Sequence, residues 1–140
     1  MSTERWYLAG PMFGIPQCNI PAFDSAAAKL RAVGLDIVSP AELDDPIIRA
    51  ACLASVDGKY RKTLTDQGTT LGAILARDIR VVIEEVRGVV LMPGWTKSRG
   101  ARLEVMAALL YDKEFLELID GKVRAVMRAY IRADLARSIP

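Results

Sequence analysis

Four short apolar runs punctuate the chain, and each ends near a glycine, a proline or another turn-forming residue. They cover residues 5–9, 36–39, 88–92 and 115–119. Continuous apolar runs of this length are typical of strands buried in a parallel sheet. After the last run, Asp120-Gly121 predicts a hairpin turn into a further strand over 123–126.

Amphipathic segments of helical length separate these runs. Apolar residues recur at helical spacing over 19–34, 71–85 and 98–110, and a basic amphipathic segment covers 128–137. The residues predicted to cap these helices are Asn19, Gly34, Thr69 or Thr70, and Ser98.

The alternation of strands and helices predicts the fold class. It favours one α/β domain over residues 1–140, doubly wound, with a mainly parallel sheet and helices on both faces, of the flavodoxin or Rossmann type. Residues 120–140 would add a C-terminal hairpin and tail helix. Ligands of such folds bind outside the carboxyl ends of the strands, where the loops after Ala9 and Met92 are expected.

Residues 40–68 do not follow this pattern. They are rich in proline, aspartate and glycine, and only a short helix around 47–54 is predicted there. A stretch of this length at the edge of an α/β sheet is often a lid or an assembly arm.

Composition narrows the functional class. Of the 140 residues, 51% are hydrophobic and 26% charged, with a net charge of +2, which favours neither nucleic acid nor an anionic membrane as a partner. No apolar run is long enough to span a membrane, and the opening Met1-Ser2-Thr3-Glu4-Arg5 has no signal-peptide pattern. With two distant cysteines, Cys18 and Cys52, a reduced cytoplasmic protein is expected.

The chain contains no histidine, and this excludes several kinds of chemistry. Histidine-dependent triads, most zinc sites and histidine acid–base catalysis cannot be built from it. We therefore expect no metal and no cofactor, and catalysis by carboxylates, tyrosine, lysine, serine or backbone groups.

The stretch from Ser98 to Glu104 predicts an anion site. A buried strand ends in Pro93-Gly94, and Ser98 opens the next helix, so the unpaired N–H groups of its first turn face the loop. Glu104 leans toward Gly100 and Ala101, which leave room for a ligand. This combination favours a phosphorylated small molecule attacked by a carboxylate.

A second carboxylate falls on an apolar helix face. Asp78 lies near the centre of the stripe formed by Leu71, Ile74, Leu75, Ile79 and Val82, where a lone charge is costly. Either it belongs to a functional site, or the helix turns it outward, or Arg77 or Arg80 neutralises it. Glu104 is expected at the border of a core stripe made of Leu103, Met106, Ala107 and Leu110.

The remaining candidates allow both structural and functional interpretations. Tyr7 is a packed aromatic or a hydroxyl aimed at a carboxylate, and Ser98 is an N-cap, a phosphate ligand or both. Trp95 lines the pocket or packs on a neighbouring subunit. Lys97, Arg99 and Arg102 balance phosphate charge or are solvated. The loop Gly10-Pro11-Met12-Phe13-Gly14 offers N–H groups and apolar side chains suited to a flat base.

Together these residues resemble a known superfamily. Tyr7-Leu8-Ala9-Gly10-Pro11, then Asp78, then the pattern Leu-x-Pro-Gly-Trp-x-x-Ser-x-Gly-Ala-x-x-Glu over 91–104 resemble the nucleoside 2-deoxyribosyltransferases. Within that superfamily the chain looks most like the small transferase-like proteins. The resemblance covers about residues 5–119 and leaves the tail outside.

The resemblance implies a role for each of these residues. The residue matching Glu104 is a nucleophile that attacks the anomeric carbon and expels the base, as suits N-glycoside cleavage by two carboxyl groups. Tyr7 would orient it, and Asp78 would act beside the base or the ribose. Sites in this superfamily form at subunit contacts, so a homodimer or homotetramer is expected.

Ser98 separates two branches of the superfamily. True transferases carry an aspartate at this position that binds the sugar 5′-hydroxyl, whereas relatives that hydrolyse 2′-deoxynucleoside 5′-monophosphates carry a serine that contacts the phosphate. Serine removes a repulsive charge at a helix N-terminus, which favours a nucleotide. Those hydrolases usually carry a further serine in the first loop, where this chain has Pro11.

We therefore expect an enzyme that cleaves the N-glycosidic bond of a (2′-deoxy)nucleoside 5′-monophosphate. The alternatives are base exchange by a transferase, a nucleotide sensor without turnover, and a scaffold whose basic tail, 124–137, contacts a partner. The catalytic residues would be Glu104, Asp78 and Tyr7. The expected substrate-binding residues are Gly10, Pro11, Met12, Asn19, Gly94, Trp95, Ser98, Gly100 and Ala101.

Overall fold

The computed structural model describes residues 4–140. The residues Met1-Ser2-Thr3, part of the segment expected to lack a signal-peptide pattern, lie outside the described residues. Within residues 4–140 one sheet contains β1 (Arg5–Ala9), β2 (Asp36–Val38), β3 (Gly88–Leu91), β4 (Glu114–Ile119) and β5 (Lys122–Ala125). The α-helices are α1 (Ile20–Ala32), α2 (Pro40–Leu43), α3 (Pro46–Ala54), α4 (Arg61–Asp66), α5 (Leu71–Glu84), α6 (Arg99–Leu110) and α7 (Arg128–Ser138).

The sheet has the order β2-β1-β3-β4-β5. The first four strands are parallel and β5 runs antiparallel to β4. Helices cover both faces, α1 on one side and α5, α6 and α7 on the other. The predicted α/β class, with its mainly parallel sheet, is confirmed. Because β1 and β3 are neighbours whose following helices pack on opposite faces, a crevice opens between their carboxyl ends.

The side chains of β1 alternate between the two faces of the sheet. Trp6 and Leu8 join the core beneath α1, whereas Tyr7 and Ala9 join the core beneath α5 and α6. Tyr7 pairs in register with Val38 on one side and with Val89 on the other. The period of two along a strand therefore places the Tyr7 side chain, fully buried, on the face that carries α5 and α6.

Three of the four predicted caps are in place. The Thr70 Oγ1 accepts a hydrogen bond from the Ala73 N–H at 3.0 Å, and the Ser98 Oγ accepts one from the Ala101 N–H at 3.2 Å. Gly34, with φ +95°, ends α1 in the left-handed conformation that glycine adopts at no steric cost.

The prediction for Asn19 was wrong. A capping side chain needs extended backbone at the N-cap, but Asn19 has φ 58° and is left-handed, as are Gln17 and Cys18 before it. Its amide instead donates to the Pro11 carbonyl at 2.8 Å. Asn19 therefore fixes the loop that follows β1.

Residues 40–68 form three short helices packed against the domain. The predicted helix around 47–54 is confirmed as α3, and Ile48, Cys52 and Leu64 are buried in the core beneath α1. Backbone hydrogen bonds tie the segment to the loop after β1, from the Gly14 N–H to the Gly58 carbonyl at 3.1 Å and from the Gln17 N–H to the Ser55 carbonyl at 2.8 Å. The segment is part of the core and does not project from it.

The predicted core stripe of α6 was wrong. Leu103, Met106 and Leu110 are 46%, 37% and 74% exposed. The residues that face the core are smaller, namely Ala101, Glu104, Val105 and Ala108. Small side chains let α6 lie close to its neighbours, so the large apolar residues were a misleading guide to its buried face.

The C-terminal hairpin and tail helix are confirmed. Asp120 and Gly121 have φ 50° and 75°, the positive values that a two-residue hairpin turn requires. In α7, Ile131 and Leu135 are buried in the same core cluster as Trp95. Along residues 4–140 no helix combines the length and apolar character needed to cross a membrane.

Candidate active site

A cavity of about 430 Å³ lies at the carboxyl edge of the sheet, in the crevice between β1 and β3. Five parts of the chain line it. They are the loop after β1, the start of α2, the start of α4, one side of α5, and the first turns of α6 with the residues just before them. Among the residues expected to bind or act on substrate, those lining it are Gly10, Met12, Asp78, Ser98, Gly100, Ala101 and Glu104.

Glu104 lies at the floor of this cavity, only 5% exposed. The Tyr7 hydroxyl donates a hydrogen bond of 2.5 Å to its Oε2 atom. The Glu104 side chain has no other hydrogen bond among the described residues, so Oε1 is the oxygen left for the cavity. The arrangement holds one carboxylate oxygen in place and leaves the other for chemistry.

Asp78, on α5, lines the same cavity as Glu104 and is 4% exposed. Arg77 neutralises it in part, because both Nε and Nη2 of Arg77 donate to the Asp78 Oδ1 atom, at 3.0 and 2.8 Å. The nearby Tyr7 hydroxyl also lowers the pKa of Asp78, by a smaller effect than that of Arg77. The interpretation that Arg77 neutralises Asp78 is confirmed, and Asp78 is also part of the cavity wall.

Arg77 also pairs with a carboxylate far away in the sequence. Its Nη1 atom donates to the Asp44 Oδ1 atom at 2.8 Å. The Asp44 side chain is 3% exposed. One guanidinium thus serves two buried aspartates, and Glu104 adds a third carboxyl group nearby. Fewer positive than negative charges are available, which favours retention of a proton on the cluster.

The pKa values of the two cavity carboxyl groups are raised. Burial is the main cause for Glu104 and the nearby Asp78 charge is the second, which bring its pKa to about 8. Burial likewise raises the pKa of Asp78 to about 6, against the opposing effect of Arg77. Burial and the Glu104 charge raise the pKa of the Tyr7 hydroxyl well above its usual range, so it remains a donor. Perturbed carboxyl groups in a cleft are a physical signature of functional sites.

The N-terminus of α6 forms a cationic part of the cavity. Its first N–H groups have no acceptor within the helix, and they carry partial positive charge. Lys97, Arg99 and Arg102 line the same part. Lys97 and Arg99 have no carboxylate partner within residues 4–140, whereas Arg102 donates to the Ser138 carbonyl at 2.5 Å. This end can hold an anionic group.

Two glycines let other chain segments approach the cavity closely. A Cβ on Gly10 would lie 2.9 Å from the Met92 Cβ, and one on Gly100 would lie 3.1 Å from the Leu75 Cδ2. Gly10 lets the loop after β1 pass the end of β3. Gly100 lets the first turn of α6 lie against α5, where Asp78 resides.

Four residues expected to bind substrate do not line the cavity. Pro11 and Asn19 shape the loop after β1 through their mutual hydrogen bond. Gly94, with φ 83°, starts the turn that precedes α6. Trp95 is 8% exposed and packs in the core with α7, which corrects the expectation that it walls the pocket.

Sequence reasoning missed the cavity residues that come from 40–68. Pro40, Tyr60 and Arg61 line the cavity, and Asp44 reaches Arg77 from behind it. No pattern of apolar residues marks the positions of these four residues. The acidic pair Asp44-Asp45 was the only signal, and its partner lies 33 residues further along the chain.

Comparison with known proteins assigns the chain to a family. No curated protein gives a significant match to the chain. A family model matches residues 4–116, which is most of the chain and includes Tyr7, Asp78 and Glu104. The matched region runs from β1 into β4 and leaves β5 and α7 outside. The chain belongs to the family described as a domain of unknown function, DUF4406.

Proposed function

We propose that this protein cleaves the N-glycosidic bond of a (2′-deoxy)nucleoside 5′-monophosphate and releases free base and sugar phosphate. The observation that carries the proposal is the buried Glu104 carboxyl group, held by Tyr7 at 2.5 Å in a cavity that is also lined by the cationic N-terminus of α6. The sequence resemblance to nucleoside 2-deoxyribosyltransferases supports the same chemistry.

Glu104 acts as the nucleophile. Its Oε1 atom attacks the anomeric carbon while Tyr7 holds Oε2, so the carboxylate is oriented before the substrate arrives. The C–N bond breaks, its electron pair leaves with the base, and a glycosyl ester forms on Glu104. Attack of water on the ester then releases the sugar phosphate and restores the carboxyl group.

Asp78 acts as the acid. Arg77 occupies its Oδ1 atom with two hydrogen bonds, so a proton on the carboxyl group resides on Oδ2. That proton is transferred to a ring nitrogen of the departing base, which neutralises the electron pair it takes away. With pKa values of about 6 for Asp78 and about 8 for Glu104, the two carboxyl groups together hold one proton near neutral pH, and the reactive form is the one that carries it on Asp78.

The cationic end of the cavity binds the 5′-phosphate. Helix N-termini bind phosphate through free N–H groups and a favourable dipole. Ser98 already accepts a hydrogen bond from the Ala101 N–H, and its own hydroxyl hydrogen remains for a phosphate oxygen. Lys97 and Arg99 add positive charge without competing carboxylates among the described residues.

The proposal is tested by incubating the protein with each common ribo- and deoxyribonucleoside monophosphate, with and without a second free base. Products are separated by liquid chromatography. Free base without an acceptor supports hydrolysis, and a new nucleotide only with added base supports transfer. Glu104→Gln is the inactive control and Glu84→Gln, on the exposed side of α5, is the active one. Full turnover by Glu104→Gln contradicts the proposal, as does nucleotide binding without any product.

A further inference from the structure

An aromatic and cationic cluster occupies a part of the cavity that the proposed chemistry leaves unused. The rings of Phe13 and Tyr60 lie 6.0 Å apart at a tilt of 52°. The guanidinium carbon of Arg61 lies 5.1 Å from the centre of the Phe13 ring. All three side chains line the cavity. We refer to Phe13, Tyr60 and Arg61 as the aromatic cluster.

The aromatic cluster and the cationic N-terminus of α6 are separate parts of one cavity. Phe13 and Tyr60 pack with the core beneath α1, whereas Ala101 and the rest of α6 pack on the opposite face of the sheet. A ligand in the crevice can therefore contact the cluster on one side and the first turns of α6, which carry Glu104, on the other.

Arg61 is an uncommitted hydrogen-bond donor. Its guanidinium forms no ion pair and no hydrogen bond within residues 4–140, and it contacts the Phe13 ring. A guanidinium presents a rigid fork of N–H donors and no acceptor. Around it the cluster supplies aromatic faces, which bind flat bases by stacking.

We propose that Arg61 recognises the base of the substrate and that the preferred substrates are 6-oxopurine nucleotides, those of guanine and hypoxanthine. This inference rests on the proposed function, because it assumes that a nucleotide enters with its phosphate at α6. The base then lies at the aromatic cluster, beside the fork of Arg61.

The preference for guanine and hypoxanthine follows from the hydrogen-bonding groups on the edges of the bases. Guanine and hypoxanthine present two adjacent acceptors, N7 and O6, which match the arginine fork. Adenine and cytosine present an amino donor on the corresponding edge, which would meet a donor-only side chain. The only carboxylates that line the described cavity are Asp78 and Glu104, which the bond cleavage already uses. The same two hydrogen bonds also stabilise negative charge on the departing base.

The test compares kcat/KM for base release from the 5′-monophosphates of deoxyguanosine, deoxyinosine, deoxyadenosine, deoxycytidine and thymidine. We expect the wild-type protein to favour the first two. Arg61→Met should lower their kcat/KM by about 10- to 100-fold, the loss of one bidentate pair, and lower that of deoxyadenylate by less than about threefold. Arg80→Met, an arginine outside the cavity paired with Glu84, is the matched control.

A binding measurement separates this inference from the proposed function. Calorimetry on Glu104→Gln should give tighter binding of deoxyguanylate and deoxyinosinate than of deoxyadenylate, and Arg61→Met in that background should remove the difference. If this holds while the wild type releases no base, the proposed function fails and the base recognition stands. Base release with equal losses for all bases on Arg61→Met, a preference for amino bases, or absence of any binding overturns the inference.

Discussion

Arg77 and Asp78 are adjacent in the sequence, and two nitrogens of the Arg77 guanidinium bind a single oxygen of Asp78, at 3.0 and 2.8 Å. The third nitrogen of the same guanidinium donates to Asp44, which lies 33 residues earlier in the sequence. The pKa of Asp78 therefore depends on Arg77 and Asp44, neither of which lines the cavity. This relationship leads to tests that do not depend on knowing the substrate in advance.

We expect a bell-shaped pH profile for kcat/KM. Glu104 and Asp78 interact, with pKa values of about 8 and about 6, so between these values the pair holds one proton. Most of that population carries the proton on Glu104, and the proposed chemistry uses the fraction that carries it on Asp78, whose share is largest in the same pH range. Activity should be highest between pH 6 and 8 and fall on both sides. A profile that is flat from pH 5 to pH 9 would contradict the assigned roles.

Asp44→Asn should move the acidic limb alone. The Asp44 charge raises the pKa of Asp78, so its removal lowers that pKa and shifts the limb to lower pH, by less than about one unit. The alkaline limb should stay in place, since Glu104 is not among the groups that Asp44 influences. The phosphate of a substrate also titrates near pH 6. A protein substitution cannot move the pKa of the free substrate, so the shift assigns the limb to Asp78.

Arg77→Met should destabilise the fold strongly. It leaves Asp44 and Asp78 buried without their shared partner, and loss of one member of a buried ion pair costs about 3–5 kcal/mol. The matched control is Arg80→Met on the same helix, where the side chain is 77% exposed and pairs only with Glu84. Urea unfolding of both variants tests this, and equal midpoints would show that the Arg77 bridge contributes nothing.

Glu104→Gln should change how stability depends on pH. The pKa of Glu104 rises from 4.5 to about 8 on folding, so the unfolded chain loses the proton first and wild-type stability falls as pH rises between these values. Glutamine does not titrate. The variant should gain free energy of unfolding relative to wild type from pH 5 to pH 8, by at most about 4 kcal/mol. Urea melts at both pH values measure it, and a difference that is constant with pH would contradict the raised pKa.

Ser98→Asp should separate capping from phosphate binding. Aspartate caps a helix as well as serine does, so thermal stability should be retained, whereas Ser98→Ala should lose about 1 kcal/mol. The added charge repels phosphate, so nucleotide kcat/KM should fall by more than about tenfold while nucleosides without phosphate are unaffected. Equal losses for nucleotide and nucleoside would remove Ser98 from the phosphate site.

The strands and long helices were predictable because each carries a local signal. The apolar run of β3, the threonine cap of α5 and the Asp120-Gly121 turn are short-range patterns, and the structure has all three. Asp78 stood out for the same reason, since a carboxylate on an apolar stripe is conspicuous.

The other half of the site depends on contacts between distant residues. Asp44 reaches Arg77 across 33 positions, and Tyr60 and Arg61 come to Phe13 only when α3 and α4 pack against the loop after β1. The face of α6 was misjudged because close packing by Ala101 and Ala108 outweighed the larger side chains of Leu103 and Leu110. Neither these long-range contacts nor the buried face of α6 follows from the spacing of apolar residues along the sequence.

Tyr7 lies on a central strand of the sheet, and we expect this side of the cavity to open less often than the side formed by the aromatic cluster. Strand β1 is hydrogen-bonded on both sides, and amides in such a strand exchange with solvent only when the whole domain unfolds. The aromatic cluster instead depends on short helices, which open locally at lower free energy. Amide exchange should therefore be slower around Tyr7 than around Arg61, so local opening of the aromatic cluster would leave the hydrogen bond between Tyr7 and Glu104 intact.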